Sequence, residues 1–257
     1  MSLLTRRRFL QLSTVSAVGL GLQGCAVPEL ANLVGSATEP LNQSLEELLF
    51  NPQKPVPEYP PSRIQPNQLL VNGFSRYIPT LDPDQYRLVL DGAIAQPLAL
   101  SLPELYQMTR QSMVIRHVCV EGWAAIVQWA GVPLRELAKR AQLQAGVKYV
   151  YFQSADGYYE SWDIASCLHP QTLLAYEKNG EPLPIPHGAP LRLASPIKLG
   201  YKLSKWVTRL TFTQAQVPPD WLTTPSDRLL ATNKALYNLS GRLGFWEDQG
   251  YEWFAGL

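Results

Sequence analysis

The chain is expected to fold as an α+β protein, with mixed sheets, a few single helices and no doubly wound parallel sheet. Three observations carry that expectation. Short apolar runs rich in β-branched and aromatic residues recur between turn dipeptides, helical patterning is brief, and strands and helices do not alternate regularly. The 257 residues, 46% of them hydrophobic, are enough for one large domain with a substantial core.

The elements follow in order. Leu41 to Phe50 sets Leu45, Leu48 and Leu49 on one helical face. From Asn51 to Pro66 six prolines forbid helix and ladder alike, so that segment should run extended along the surface. The folded unit is expected over 69–215, after an N-terminal segment and linker over 26–68. Tyr86 to Leu90 alternates and closes on Asp91-Gly92, a strand entering a turn. Ser101-Leu102-Pro103-Glu104 has capping-box spacing, predicting a helix from about Pro103 to Arg110. Val132-Pro133 opens a second helix through Ala141. Val147 to Phe152 reads as a strand, and Leu173 to Glu177 as another, leading into the tight-turn dipeptide Asn179-Gly180. Leu191 to Ala194 and Trp206 to Thr213 complete the strands. No internal repeat is visible.

The N-terminus carries Thr5-Arg6-Arg7-Arg8-Phe9-Leu10-Gln11, which fits a twin-arginine export signal. The apolar stretch Leu10 to Leu22 is too short and too rich in Ser, Thr and Gly to span a membrane comfortably. An ordinary secretory signal is the alternative. Leu22-Gln23-Gly24-Cys25 resembles a lipobox, which would lipidate Cys25 and tether the exported protein to the membrane. Simple cleavage at the end of segment 1–24 is the other outcome. Either way the location is periplasmic or otherwise outside the cytoplasm. Without the three arginines of that segment the balance is 19 basic against 21 acidic residues, which argues against nucleic acid as a partner.

Cys25, Cys119 and Cys167 are the three cysteines, and none belongs to a CxxC element, so zinc and iron–sulfur ligation lack support. With Cys25 lipidated, Cys119 and Cys167 are the one pair left for a disulfide. With Cys119 on a metal, Cys167 stays free as a small buried residue. Arg116 and His117 precede Cys119, and Glu121 and Trp123 follow it. Positive neighbours favour thiolate, the metal-binding form. Chemistry alone leaves three roles open: structural residue, metal ligand, or nucleophile with His117, His169 or His187 as base.

A wider pattern bears on that choice. Cys119-Val120-Glu121-Gly122-Trp123 is followed by Trp129-Ala130-Gly131-Val132-Pro133-Leu134. A second block comprises Leu173 to Glu177, Asn179 to Pro184, and His187-Gly188-Ala189-Pro190-Leu191-Arg192; a third runs from Pro196 through Gly200 to Lys205-Trp206. Together they resemble the sulfite-oxidase family of molybdopterin oxidoreductases, closest to its branch of periplasmic methionine-sulfoxide reductase catalytic subunits. Folded export suits a cofactor inserted in the cytoplasm.

The resemblance implies that Cys119 binds molybdenum beside the two dithiolene sulfurs of one pterin. It places His187, Arg192, Gly200, Lys202 and Lys205 near the pterin and its phosphate, where charge-assisted donors are needed. Arg116 and His117 would reach the same cofactor. Tyr158 aligns with the active-site tyrosine and would give a hydrogen bond or proton to substrate oxygen. Asn72, Phe74 and Arg76 fall at the pocket mouth. Two departures bear on substrate: Tyr77-Ile78 replaces an expected Asn-His, and Trp123-Ala124 stands where sulfite oxidases carry arginines. A sulfite dianion would find little charge to replace its hydration. A neutral sulfoxide or similar oxygenated small molecule fits better, reduced by two-electron oxygen-atom transfer. No haem or flavin is expected in this chain, so electrons come from a separate protein, with a membrane b-type cytochrome as the family's precedent. Three competing readings are sulfite oxidation, a non-catalytic envelope binding module on the same fold, and a cysteine hydrolase. The aromatic stretch Gly244 to Phe254, within 216–257, is read as a strap packed on the domain, with a docking face for the electron donor as the alternative.

Overall fold

A computed structural model describes residues 51, 53–73, 77–119 and 121–215. The export signal, Cys25, the 41–50 helix, Phe74, Arg76 and the aromatic C-terminal stretch lie outside the described residues.

Two five-stranded sheets build the domain, the first mixed and the second antiparallel throughout. The first joins β1 (Leu88–Gly92), β2 (Leu98–Leu100), β5 (Tyr149–Ser154), β6 (Tyr159–Asp163) and β10 (Val207–Thr213) in the order β2-β1-β10-β5-β6. Within it β1 and β10 run parallel and the other neighbours antiparallel. The second orders β3 (Gln111–Val118), β4 (Ala124–Pro133), β7 (Leu173–Lys178) and β8 (Glu181–Pro182), with β9 (Arg192–Ala194) also pairing β7. Three short α-helices, α1 (Leu102–Tyr106), α2 (Leu134–Ala141) and α3 (Ile164–Cys167), and three 3₁₀ turns, Pro61–Arg63, Ile185–His187 and Gly200–Lys202, complete the described elements. The expected α+β class is what forms, with parallel and antiparallel pairing mixed in the first sheet.

Local chemistry explains several boundaries. Ser101 caps α1 reciprocally with Glu104, as the spacing predicts. That helix stops at Tyr106 rather than Arg110, because Gln111 opens β3 and Arg110 turns out to meet Glu177. Val132 and Pro133 end β4 instead of starting a helix, and α2 begins at Leu134, whose N–H donates to the Thr172 carbonyl. Asn179 and Gly180 both take positive φ, +54° and +84°, and close the β7–β8 hairpin.

The β3–β4 hairpin was not foreseen. Its strands are buried on both faces, so their sequence lacks the alternation that marks a half-exposed strand. The larger core packs Leu88, Leu90, Phe152, Trp162, Leu210 and Phe212 against Leu134 and Leu137 of α2. A second cluster holds Met113, Ile115, Val127, Trp129 and Leu173. Cys167 is wholly buried in the larger core and does not pair with Cys119. The proline-rich connector runs largely exposed, as expected, but is not extended throughout: Pro61–Arg63 forms one 3₁₀ turn, whose first position tolerates proline, and Val56 is pinned. The Gln171 side chain accepts from the Val56 N–H at 2.7 Å and donates to its carbonyl at 2.9 Å.

Candidate active site

Cys119 occupies the loop at the tip of the β3–β4 hairpin. Its N–H donates to the Trp123 carbonyl at 2.9 Å, and the Gly122 N–H donates back to the Cys119 carbonyl at 3.1 Å. Gly122 sits at φ +86°, a conformation that favours glycine and lets the loop turn this tightly. The thiol lines a cavity of about 220 Å³.

A second segment lines that cavity beside the hairpin. The turn Gly200–Lys202 packs so near the hairpin that a Cβ on Gly200 would lie 3.1 Å from His117 Nε2 and 3.2 Å from the Val118 carbonyl. Glycine there permits the close approach.

The cavity wall carries a cluster of bases. His117, His187, Arg192 and Lys205 all line it, and Lys178 Nζ lies 3.2 Å from His187 Nε2. Arg192 is buried beneath the Trp129 ring, 4.5 Å from its centroid, and donates to the carbonyls of His187, Leu193 and Leu203. Burial lowers the Arg192 guanidinium to about 9. Lys205 falls to about 8, through burial first and then the charge of Arg192. His187 falls to about 4, again chiefly by burial, with Lys178, Arg192 and Lys205 adding repulsion. Burial likewise holds His117 well below the usual histidine range, and Arg192, His187 and Lys205 push the same way. Burial thus disfavours charge throughout this cluster, and neighbouring bases add to the effect on His117, His187 and Lys205. The buried His117 Nδ1 also has no hydrogen-bond partner among the described residues. Such a group suits a multiply charged anion with several acceptor oxygens, which would restore the charged forms. A soft thiol beside it suits a soft metal centre. These residues therefore fit a phosphate-bearing pterin with a cysteine-ligated metal.

The mouth has a different character. Asn72 Nδ2 donates to Glu121 Oε2 at 2.5 Å and lies 3.9 Å from Cys119 Sγ. Trp123 Nε1 donates to the same carboxylate oxygen at 3.2 Å. Lys205 Nζ donates to the Asn72 carbonyl at 2.6 Å, joining mouth to wall. Leu69, Leu70 and Trp123 supply apolar surface.

Asn72, His117, Cys119, Tyr158, His187, Arg192, Gly200 and Lys205, all anticipated from sequence, converge here. Two others do not line the cavity. Arg116 projects from the opposite face of β3 to His117, as strand alternation demands. The Lys202 side chain is fully buried behind the wall, its ammonium 2.8 Å from Glu160 Oε2. His169, a candidate base, lies away from the cavity, with Nε2 against the Lys54 carbonyl. Sequence reasoning assigned no role to Glu121, Asp156 or Ser204, which also line the cavity. For Glu121 a signal existed: it stands two residues from Cys119 in a loop too short to send it elsewhere.

A family model described as oxidoreductase molybdopterin binding domain matches residues 75–221. A candidate protein-methionine-sulfoxide reductase subunit, YedZ1, from Azospira oryzae is 34% identical over 255 residues, covering 98% of this chain and 87% of that protein. The protein-methionine-sulfoxide reductase catalytic subunit MsrP of Ralstonia nicotianae is 32% identical over 163 residues, 57% of this chain and 49% of its own. The match thus spans about half of the MsrP protein. Among solved structures, the sulfane dehydrogenase SoxCD from Paracoccus pantotrophus superposes with a TM-score of 0.51 at 25% identity, over 54% of this chain and 40% of that one. A thiol and a cluster of charge-starved bases on one cavity, within a fold so matched, place this chain in the molybdopterin-binding oxidoreductase family.

Proposed function

We propose that this oxidoreductase reduces a neutral sulfoxide to a thioether, with Cys119 as the molybdenum ligand. One observation carries the reading: the cavity that holds the thiol and the buried bases opens through a mouth of Leu70, Trp123 and a carboxylate, Glu121. The bases suit the cofactor's phosphate. The mouth suits a substrate with apolar arms and no negative charge, because an anion entering there would be repelled by the Glu121 carboxylate. The reductase names of the relatives point the same way, toward methionine sulfoxide within a polypeptide.

When bound, the molybdenum cofactor supplies two-electron oxygen-atom transfer. The chain's own part is to bind and orient. The Cys119 sulfur would hold the metal side, and Arg192, Lys205, His187 and His117 the anionic side. Trp123 and Leu70 would seat the substrate's carbon arms. In the balanced reaction the sulfoxide takes up two electrons and two protons and yields thioether and water. The electrons come from a separate haem protein, on this reading a membrane b-type cytochrome. Export through the twin-arginine route and tethering at Cys25 would bring the two together at the membrane.

Protein exported from a host competent in molybdopterin synthesis is expected to hold about one molybdenum per chain and to reduce methyl p-tolyl sulfoxide with a chemically reduced dye. Cys119→Ser is expected to lose the metal while remaining folded. Wild-type metal content in that variant, or turnover of sulfite in place of sulfoxide, overturns the assignment.

A further inference from the structure

Behind the cavity wall lies an ion pair that neither the anion cluster nor the mouth employs. Glu160 of β6 and Lys202 of the 200–202 turn are both fully buried, 2.8 Å apart. A buried pair of this kind is weak support for stability, since apolar side chains of similar volume often do as well. Its contact with the cavity is more telling. Tyr158, which lines the cavity, has its hydroxyl oxygen 2.9 Å from Glu160 Oε1 and 2.7 Å from the Tyr201 carbonyl. A phenol carries a single proton. The phenol donates toward both acceptors, and a proton placed on Glu160 Oε1 would be passed on to the phenolic oxygen. Lys202, in contact with the other carboxylate oxygen, is the adjacent source of that proton.

We infer that Lys202, Glu160 and Tyr158 form a proton relay whose buried end is the ammonium and whose cavity end is the phenol. The inference rests on the sulfoxide-reductase reading above. In the step it describes, the Tyr158 O–H bond breaks and its proton goes to the oxygen leaving sulfur. A proton passes from Lys202 Nζ to Glu160, and from Glu160 to the phenolic oxygen. Lys202 is left neutral. This accounts for one of the two protons in the reaction, the other coming from water in the cavity, while the two electrons come from the reduced haem protein through the cofactor. Water entering through the mouth restores the lysine proton by the reverse route.

The test compares wild type with Glu160→Gln and with the double variant Glu160→Leu/Lys202→Met, all loaded with molybdenum and assayed on methyl p-tolyl sulfoxide. The expected result is a fall in kcat on the order of 100-fold, the size of a lost general acid. KM is expected to stay within about twofold, with metal content unchanged, since neither residue would bind substrate or metal. A larger solvent deuterium isotope effect should accompany the slower turnover. A readout without turnover is the tyrosine Raman band of the metal-free protein, located by difference against Tyr158→Phe. Its hydrogen-bond signature is expected to change in Glu160→Gln, where an amide N–H donates permanently to the phenol. If Glu160→Gln fails to fold, the apolar double variant decides the matter, because it leaves no unpaired charge. Turnover within about threefold of wild type in that variant overturns the relay. So does loss of molybdenum from both variants, which would make the pair a scaffold. A wild-type enzyme that holds molybdenum yet reduces no sulfoxide refutes the parent reading and the relay with it, an outcome visible before any variant is made.

Discussion

His187 shows how far the fold bends the chemistry of one side chain. Its value of about 4 lies below that of an unfolded histidine, about 6.5, so between those limits the unfolded chain takes up a proton that the native protein refuses. The stability contributed is therefore complete above about pH 6.5 and is lost as pH falls toward 4. Thermal unfolding of the cofactor-free protein should show a midpoint that drops between pH 7 and 5. In His187→Asn the drop should be smaller. An equal drop in the variant would assign the acid sensitivity elsewhere. Arg192 and Lys205 carry the same sign at higher pH, and an anion bound among these bases would raise all of them. Inorganic pyrophosphate should accordingly stabilise the cofactor-free protein more at pH 6 than at pH 9.

At the scale of elements, the tight β4–β7 contact is the point most exposed to a small change. A Cβ on Gly131 would fall 2.0 Å from the Leu174 carbonyl oxygen and 2.6 Å from the Ala175 Cα, both backbone atoms that cannot step aside. Gly131→Ala should therefore destabilise the domain by more than about 3 kcal/mol, the range of severe core lesions, measured by denaturant unfolding. Gly180→Ala offers the contrast. It meets open space, so only its φ of +84° opposes the new side chain, at a cost of about 1 kcal/mol. An effect at Gly131 no larger than that at Gly180 would mean that the β4–β7 contact yields to the added methyl group. The two substitutions separate what one turn needs from what two strands need.

The molecule as a whole depends on how its N-terminal connector is fastened. Gln171 satisfies both backbone groups of buried Val56, and its Nε2 also donates to Glu58 Oε1 at 3.1 Å. Farther along, Gln65 exchanges hydrogen bonds with Ile126 of β4, its N–H donating at 2.9 Å and its Oε1 accepting at 2.9 Å. The connector thereby covers strand edges instead of swinging free. Gln171→Ala strands buried polar groups, at about 1–3 kcal/mol for each. Limited proteolysis should then cut between Asn51 and Pro66 well before the core yields. Unchanged cleavage would show that the other contacts hold the segment alone.

How much of this was legible in the sequence varies with the physics behind each feature. Local rules sufficed for the α1 capping box, the Asn179-Gly180 turn, the surface course of the connector and the α+β class, because each depends on neighbours in the chain. Local rules overran α1 to Arg110 and started α2 two residues early, since strand pairing at Gln111 and at Val132-Pro133 overrides helical spacing. The spacing of three blocks brought Cys119, His187, Arg192 and Lys205 forward as a group. It could not separate His117 from Arg116, which depends on which face of β3 turns inward, nor reveal that Lys202 turns away toward Glu160. By itself the sequence determined which residue types stand near the thiol and which family they mark. Only the tertiary structure decided which of them share a cavity, because burial and charge act across space between strands far apart in the chain.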